Sequence, residues 1–562
     1  MPFCRLPRAC AALLLLLAAA PASAAAPAAP EPPGYTALLK LFEEWRSFVE
    51  PARVGDVPDY RPAAIARKAA GLPALRKRLE ALDTRGWTRA QQVDLKLVRA
   101  EMNGLDFELR VLRPWARDPA FYATVFSEQS DTPAHEGRSA LPAIELWAHA
   151  YPLPAADQGA LARQLEAVAP LLVQARENLK DGDARELWLH GAGPLREQAH
   201  ALAELEAGTL SVHSATGTRT ASLEGATPAL RAAVAHARTA TEEFAHWVEA
   251  QAPRKKGPSG VGKENYTWYL RNVHLVPYTW EDEVALLRRE LERAHASLRL
   301  EEYHNRALPP LEPAASPEAF AKLEQDRLEK FVRFLTRTGR VIPERPYVRA
   351  ALAAQLGPWV PPDKRNFFLQ VTHREPMLLL AHQYHWLDLA RLRDEPHASP
   401  IRRVPSLFNI WDSRAEGFAT AFEELTMQAG LYDDNPRARE LVWVMLANRA
   451  ARGLASLYVQ ANALTLVEAG QLQQHWTPRG WAPATSELTA TEQLLYLRQP
   501  GYGTSYVSGK ALVDRLIAQY AREHDPAPFD LREFMAQFND AGLLPVSLLE
   551  EQLTEHPAPA GP

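Results

Sequence analysis

Apolar residues recur three and four positions apart in almost every segment from Tyr35 onward. The runs "YTALLKLFEEWRSFV", "LPALRKRLEALD", "RAQQVDLKLVRAEMNGLDFELRVL" and "QGALARQLEAVAPLLVQARENL" show it plainly, and this period gathers apolar side chains on one helical face. β-Branched alternation is scarce and prolines punctuate the helices. The pattern therefore predicts an all-α fold. No repeat of roughly 20–50 residues is present, which excludes a regular solenoid.

Start and stop signals sharpen the second half. Ser413–Glu416, Thr465–Glu468 and Thr489–Glu492 have capping-box spacing. Asn435-Pro436 fits an N-cap followed by Pro at the first helical position, and Gly430 suits a helix end. Helices are expected near 377–395, 414–429, 436–461 and 505–523, with "QPGYGTSYVSGK" (499–510) as a Gly-rich turn between helices. That turn lacks dinucleotide-fingerprint spacing and has no strand before it. "AQAPRKKGPSGVGKENYTWYLRNVHL" is the expected linker between a helical region at 35–250 and a second at 260–556. Within it, Gly257 to Lys263 imitate the start of a phosphate loop. The next position is Glu264 where Ser or Thr must hold magnesium, so a flexible Gly/Pro turn is the better reading.

The N-terminus changes the compartment. Arg5 and Arg8 precede a short apolar run at Ala11–Ala20, and Ala22-Ser23-Ala24 offers a cleavage site. Residues 1–24 thus predict a secretory signal, followed by a disordered Ala/Pro-rich leader at 25–34. The apolar run is too short to span a bilayer, and no later segment predicts a transmembrane helix. A periplasmic or secreted location follows. Cys4 and Cys10 both lie inside the signal, so disulfides, thiol nucleophiles and Cys-ligated metals are excluded from the remainder. A net charge of −5 spread along the chain offers no nucleic-acid surface.

Candidate chemistry begins in "LLLAHQYHWLDLARLRDEP". His382, His385 and Asp388 recur every third position on one broad helical face. "WDSRAEGFATAFEEL" then brings Glu416, Glu423 and Glu424. Two histidines from one helix and a carboxylate from a later one are how many zinc sites are assembled. The pair is three apart rather than the four of H-E-x-x-H, and Gln383 follows the first histidine where a general-base Glu would stand.

The second half resembles a known family, the bacterial domain of unknown function 885 proteins. Their pattern resembles H-E-x-x-P-G-H-H, E-G-W-A, R-Y-x-x-x-P-G-Q-A-x-x-Y-x-x-G and F-D-L-R-E-F-H before G-x-x-P-L. Here "AHQYHWLDLAR", "RAEGFATAFEEL", "LYLRQPGYGTSYVSGK" and "FDLREFMAQFNDAGLLPVSLLE" match, with "VGKENYTWYLRNVHLVPYTWEDEV" as lead-in. The resemblance covers Gly260 to Leu553 well and the first half weakly. It implies a helical, metallopeptidase-like scaffold. The motif is altered: Gln383 replaces the glutamate, and the Pro-Gly pair between the histidines is missing. Met535 and Gln460 stand where the family has histidines, whereas Glu416, Tyr506 and Gly509 are retained.

Each residue has a plain alternative. Glu416 is a metal ligand or closes a capping box from Ser413. His382 and His385 are ligands or satisfied core histidines. Asp388 orients a histidine or pairs with Arg391. Tyr506 is a transition-state donor or a buried structural tyrosine. His373 and Glu375 are a second His/Glu source, weakened by Pro376. Two functions follow. In one, the scaffold persists with an altered motif and unknown substrate, holding zinc weakly or not at all. In the other, His382, His385 and Glu416 hold zinc in a hydrolase of peptides or related amides, with Gln383, Glu423 and Tyr506 around the reacting atoms. Gln383 cannot accept a proton from water, so a base must come from elsewhere, Glu423 or Asp388 being nearest in sequence.

Overall fold

The computed structural model describes residues 32–132 and 143–555. The chain is all-α as expected; strands among these residues are confined to three two-stranded pairs. The predicted signal and residues 25–31 of the leader lie outside the described residues, and Pro33 and Gly34 already belong to the first helix.

Three helices open the chain: α1 (Pro33–Val49), α2 (Pro62–Glu80) and α3 (Arg89–Phe107). α1 buries Tyr35, Leu38, Leu41, Phe42, Trp45 and Val49, the stripe its sequence period dictates. Later come a hairpin of β1 (Leu210–Ser214) and β2 (Gly217–Ala221), in register Leu210 to Ala221, and helix α4 (Pro228–Gln251). α5 (Trp280–His304) leads into the helices that carry the candidate chemistry. These are α6 (Pro376–His382), α7 (Tyr384–Asp394), α8 (Asp412–Gln428), α9 (Pro436–Gln460) and α10 (Tyr502–His524). No helix among the described residues is long and apolar enough to cross a membrane.

The larger apolar core joins Trp45, Leu97 and Phe107 of the opening helices to Leu287, Phe418, Leu446 and Leu512. A second core, with Trp188, Leu202, Leu230 and Phe244, gathers around α4. Polar ties reinforce the first. Arg402, buried, reaches Asp94 of α3 at 2.5 Å, Ala90 O at 2.7 Å and Ala541 O at 2.9 Å. Such a pair is costly to break, because the partner left behind is a buried charge.

Several local expectations need correction. The helix expected over 377–395 is broken at Gln383, whose ψ of 16° ends α6 and starts α7. Ser413 caps nothing: α8 has no side-chain cap, and the Ser413 hydroxyl accepts from Val546 N–H instead. Thr489 accepts at no helix start, since Ser486 caps that helix; the box at Thr465 forms as expected. The stretch 499–510 is not a turn. Only Gly501 takes a left-handed backbone, with φ 91°, and α10 starts at the next residue.

The glycines within α10 serve packing. A Cβ on Gly509 would lie 2.5 Å from Ser413 O, and one on Gly417 would lie 2.4 Å from Gly509 Cα. α8 and α10 therefore meet backbone to backbone, which no side chain could permit. The Gly/Pro linker, too, is fastened: Asn462 Oδ1 accepts from Ser259 and Gly260 N–H, and Gly262 N–H donates to Gln460 O at the end of α9.

Candidate metal centre

The break at Gln383 places His382 at the end of α6 and His385 in the first turn of α7. Their rings meet edge to face with centroids 5.1 Å apart. Glu416, buried in the second turn of α8, points between them. Its Oε2 lies 3.2 Å from His385 Nε2 and 3.6 Å from His382 Nε2. The three candidate ligand atoms all lie within 4.8 Å of one another. Tetrahedral ligands at zinc bond lengths of about 2.0–2.2 Å stand roughly 3.3–3.6 Å apart, so the set fits that ion with small side-chain movement.

Neighbouring groups orient the three. Tyr502 of α10 donates its hydroxyl to Glu416 Oε1 at 2.5 Å. His382 Nδ1 lies 3.2 Å from Glu423 Oε1, an arrangement that aims Nε2 at a metal when Nδ1 carries the proton. Arg449 of α9 competes for that nitrogen. Its Nη2 is 3.0 Å from His382 Nδ1, and it grips Glu423 with two bonds of 2.6 Å. One His382 tautomer thus donates to Glu423 and frees Nε2 for a cation; the other accepts from Arg449 and donates Nε2–H toward Glu416.

The charges are tightly coupled. Burial works to raise the Glu416 carboxyl, but His385 and His382 overcome it and hold the group well below the usual range. Burial likewise disfavours a charged His385, yet Glu416 overrides it and lifts the imidazole to about 9. Glu423 is lowered because Arg449 outweighs its burial. Burial pushes Tyr502 and Tyr506 well above an ordinary phenol, and the Glu416 charge adds to this. Glu416 and His385 therefore each favour the charged form of the other.

The remaining candidates sit as follows. Tyr506 stacks on His382 at 6.1 Å, with the Arg452 guanidinium 4.2 Å from its ring centroid; Tyr502, one turn earlier, is the tyrosine that reaches Glu416. Asp388 pairs with Arg391 and, at 2.9 Å, with buried Arg414. His373 stacks on Phe320 at 4.1 Å and accepts from Val360 N–H, while Glu375 caps α6 and binds Arg327; neither joins the centre. Gln460 bonds Tyr496 O and Leu497 O, and Met535 is core. The Gln383 Oε1 is buried without a hydrogen-bond partner. A cleft with a cavity volume of about 100 Å³, lined by Tyr60, Lys68, Trp115 and Phe121 among others, contains none of these residues.

Tyr502 and Arg449 escaped the sequence reading. Tyr502 lay in the stretch taken for a turn. Arg449 and Arg452 carried a visible signal: two charges inside the otherwise apolar run of α9.

The profile of a family described as "Bacterial protein of unknown function (DUF885)" matches residues 49–337 and 385–553. The chain belongs to the DUF885 family. The match leaves out 338–384, so His382 and Gln383 fall outside it while His385, Glu416, Tyr502 and Tyr506 fall inside. Two solved structures are similar to this DUF885 chain. One is "a putative lipoprotein of unknown function" from Shewanella oneidensis, at 13% identity and TM-score 0.63 over 92% of this chain and 97% of that one. The other, "the putative lipoprotein from Colwellia psychrerythraea", has 14% identity and TM-score 0.61 over 92% and 97%. At these identities the likeness carries the fold alone. No curated protein matches the chain.

Proposed function

We propose that this DUF885 protein is an exported divalent-metal protein whose centre, His382, His385 and Glu416, takes zinc and acts on peptides or related amides. The observation that carries the reading is the convergence of the three ligand atoms within 4.8 Å, with Glu423 behind His382 and Tyr502 behind Glu416. Export is supported by the signal-like residues 1–24 and the lack of cysteine beyond Cys10. The helical scaffold and the metal-like site support the kinship with metallopeptidases that the motifs suggest.

Zinc in such a site polarises a carbonyl and makes a water more acidic. The chain's own residues do the rest. Glu423 holds the His382 tautomer and Tyr502 fixes the Glu416 carboxylate. Gln383 offers only an amide, so it cannot take the proton of a water.

A second reading, a binding scaffold without catalysis, is supported by Arg449, whose guanidinium at His382 Nδ1 favours the tautomer that keeps its proton on Nε2 and turns it from a cation. One comparison separates the two: zinc content and peptide hydrolysis of wild type, His382→Ala and Gln383→Glu. Stoichiometric zinc and turnover in wild type, both lost in His382→Ala, support the enzyme. Zinc-free, inactive wild type refutes it. Activity that appears only in Gln383→Glu locates the defect in the missing base.

A further inference from the structure

We infer that the cleft between the two apolar cores binds a small aromatic carboxylate, one ring with an anionic group on a short arm. This site is independent of the metal centre, none of whose residues lines the cleft. The cleft lies where Leu105 of the first core meets Trp115 and Phe121 of the second, and ligand sites are common at such junctions. The backbone there is unusual. α3 passes into a π turn at Glu108–Leu112, which ends on Arg113 in the left-handed region at φ 43°. Pro114 then starts a short helix that runs to Arg117. π turns and non-glycine residues held left-handed recur at functional sites, and here they bring Leu109, Trp115 and Arg117 to one lining.

The apolar part of the lining suits a ring. Tyr60 and Phe121 meet edge to face with centroids 5.0 Å apart, and Ile65 of α2 shares the wall with them. The volume of about 100 Å³ is of the order of engineered cavities of about 150 Å³ that take benzene. The polar part suits an anion. Lys68 of α2 donates to Val49 O and Glu50 O, and Arg117 donates only to backbone carbonyls, among them Pro258 O at 3.1 Å and Ser259 O at 3.0 Å. Neither cation forms an ion pair among the described residues. Burial pulls both below their ordinary pKa values, a strain that an arriving carboxylate relieves. The acids of the lining are largely engaged: Asp59 is held by Arg61 at 2.8 and 2.9 Å, and Asp118 by Arg498 at 2.7 Å. Glu108 is the third, so with Arg61 counted four cations meet three carboxylates. Gln499, buried and also of the lining, gives its Oε1 to Asn409 and leaves Nε2 without a partner among the described residues, a further donor for an anion.

The test is titration calorimetry of the full chain with phenylacetate, phenylacetamide and phenethylamine, which share the ring and differ in charge. We expect one phenylacetate to bind per chain with a Kd of about 1 mM or below, at least about tenfold tighter than either of the others. Ile65→Trp fills the cleft and should abolish binding, whereas Lys68→Met should remove most of the preference over phenylacetamide. Phenylacetate should also slow hydrogen exchange over residues 105–121 in wild type. Equal affinity for phenylacetate and phenylacetamide overturns the anionic class, and no binding of phenylacetate overturns the site. Binding that survives both substitutions lies elsewhere on the protein and overturns it as well. Should either variant misfold, wild type decides: binding without slowed exchange over 105–121 overturns the inference.

Discussion

Glu283 gives the fold a dependence on pH that one substitution should erase. It is buried in α5, accepts the Tyr266 hydroxyl at 2.7 Å, and burial pushes its carboxyl up to about 7 despite the hydroxyls of Tyr266, Thr504 and Ser508. In the unfolded chain the same group ionises near about 4.3. Between these values the native state holds a proton that the unfolded state has released. The stabilisation is present in full below the unfolded value and is lost as pH rises through about 7. A difference of somewhat over two pH units corresponds to about 3 kcal/mol at its limit. Glu283→Gln keeps the shape and the acceptor for Tyr266 but cannot ionise. Thermal unfolding of both proteins at pH 4, 5, 6, 7 and 8 gives the test. The variant should match wild type near pH 4, exceed it progressively from there to about pH 7, and keep a level gap above that, and subtraction cancels every other titrating group. A gap that does not change with pH would falsify the reasoning.

Other consequences can be checked singly. Glu423→Gln, which leaves His382 Nδ1 to Arg449, should weaken zinc binding about 10–100-fold by chelator competition. Arg402→Met strands buried Asp94 and should cost about 3–5 kcal/mol, read as a lowered unfolding temperature with the 35–107 helices exchanging fastest. Gly509→Ala forces a methyl against Ser413 O and should cost about 1–3 kcal/mol with loss of zinc, because Glu416 moves away from Tyr502.

Periodicity was enough to read the long helices: α8, α9 and α10 start within three residues of their expected positions, because each is long and its apolar pattern recurs over several turns. Breaks were harder. Nothing in "LLLAHQYHWLDLAR" marks Gln383 as a helix end, since no Gly or Pro stands there. Glycine was misread for a similar reason. Gly503 and Gly509 look like turn formers in sequence, whereas their use is to let another backbone approach, a contact visible only in three dimensions. The ligand candidates were legible because His and Glu are chemically conspicuous. Their partners were not: Tyr502 and Arg449 reach the centre from α10 and α9, and no local spacing encodes such meetings.

The contact of Gly417 with Gly509 separates architecture from contents. The gap between α8 and α10 is fixed where main chain rests on main chain, so the side chains lining the centre do not prop the helices apart. Glu416, Tyr502 or Tyr506 can be exchanged one at a time while the walls keep their spacing. A chamber built that way is a fixture whose lining is replaceable: the lineage can gain, lose or redirect its chemistry, and a designer can insert a new ligand set, without first solving the fold again.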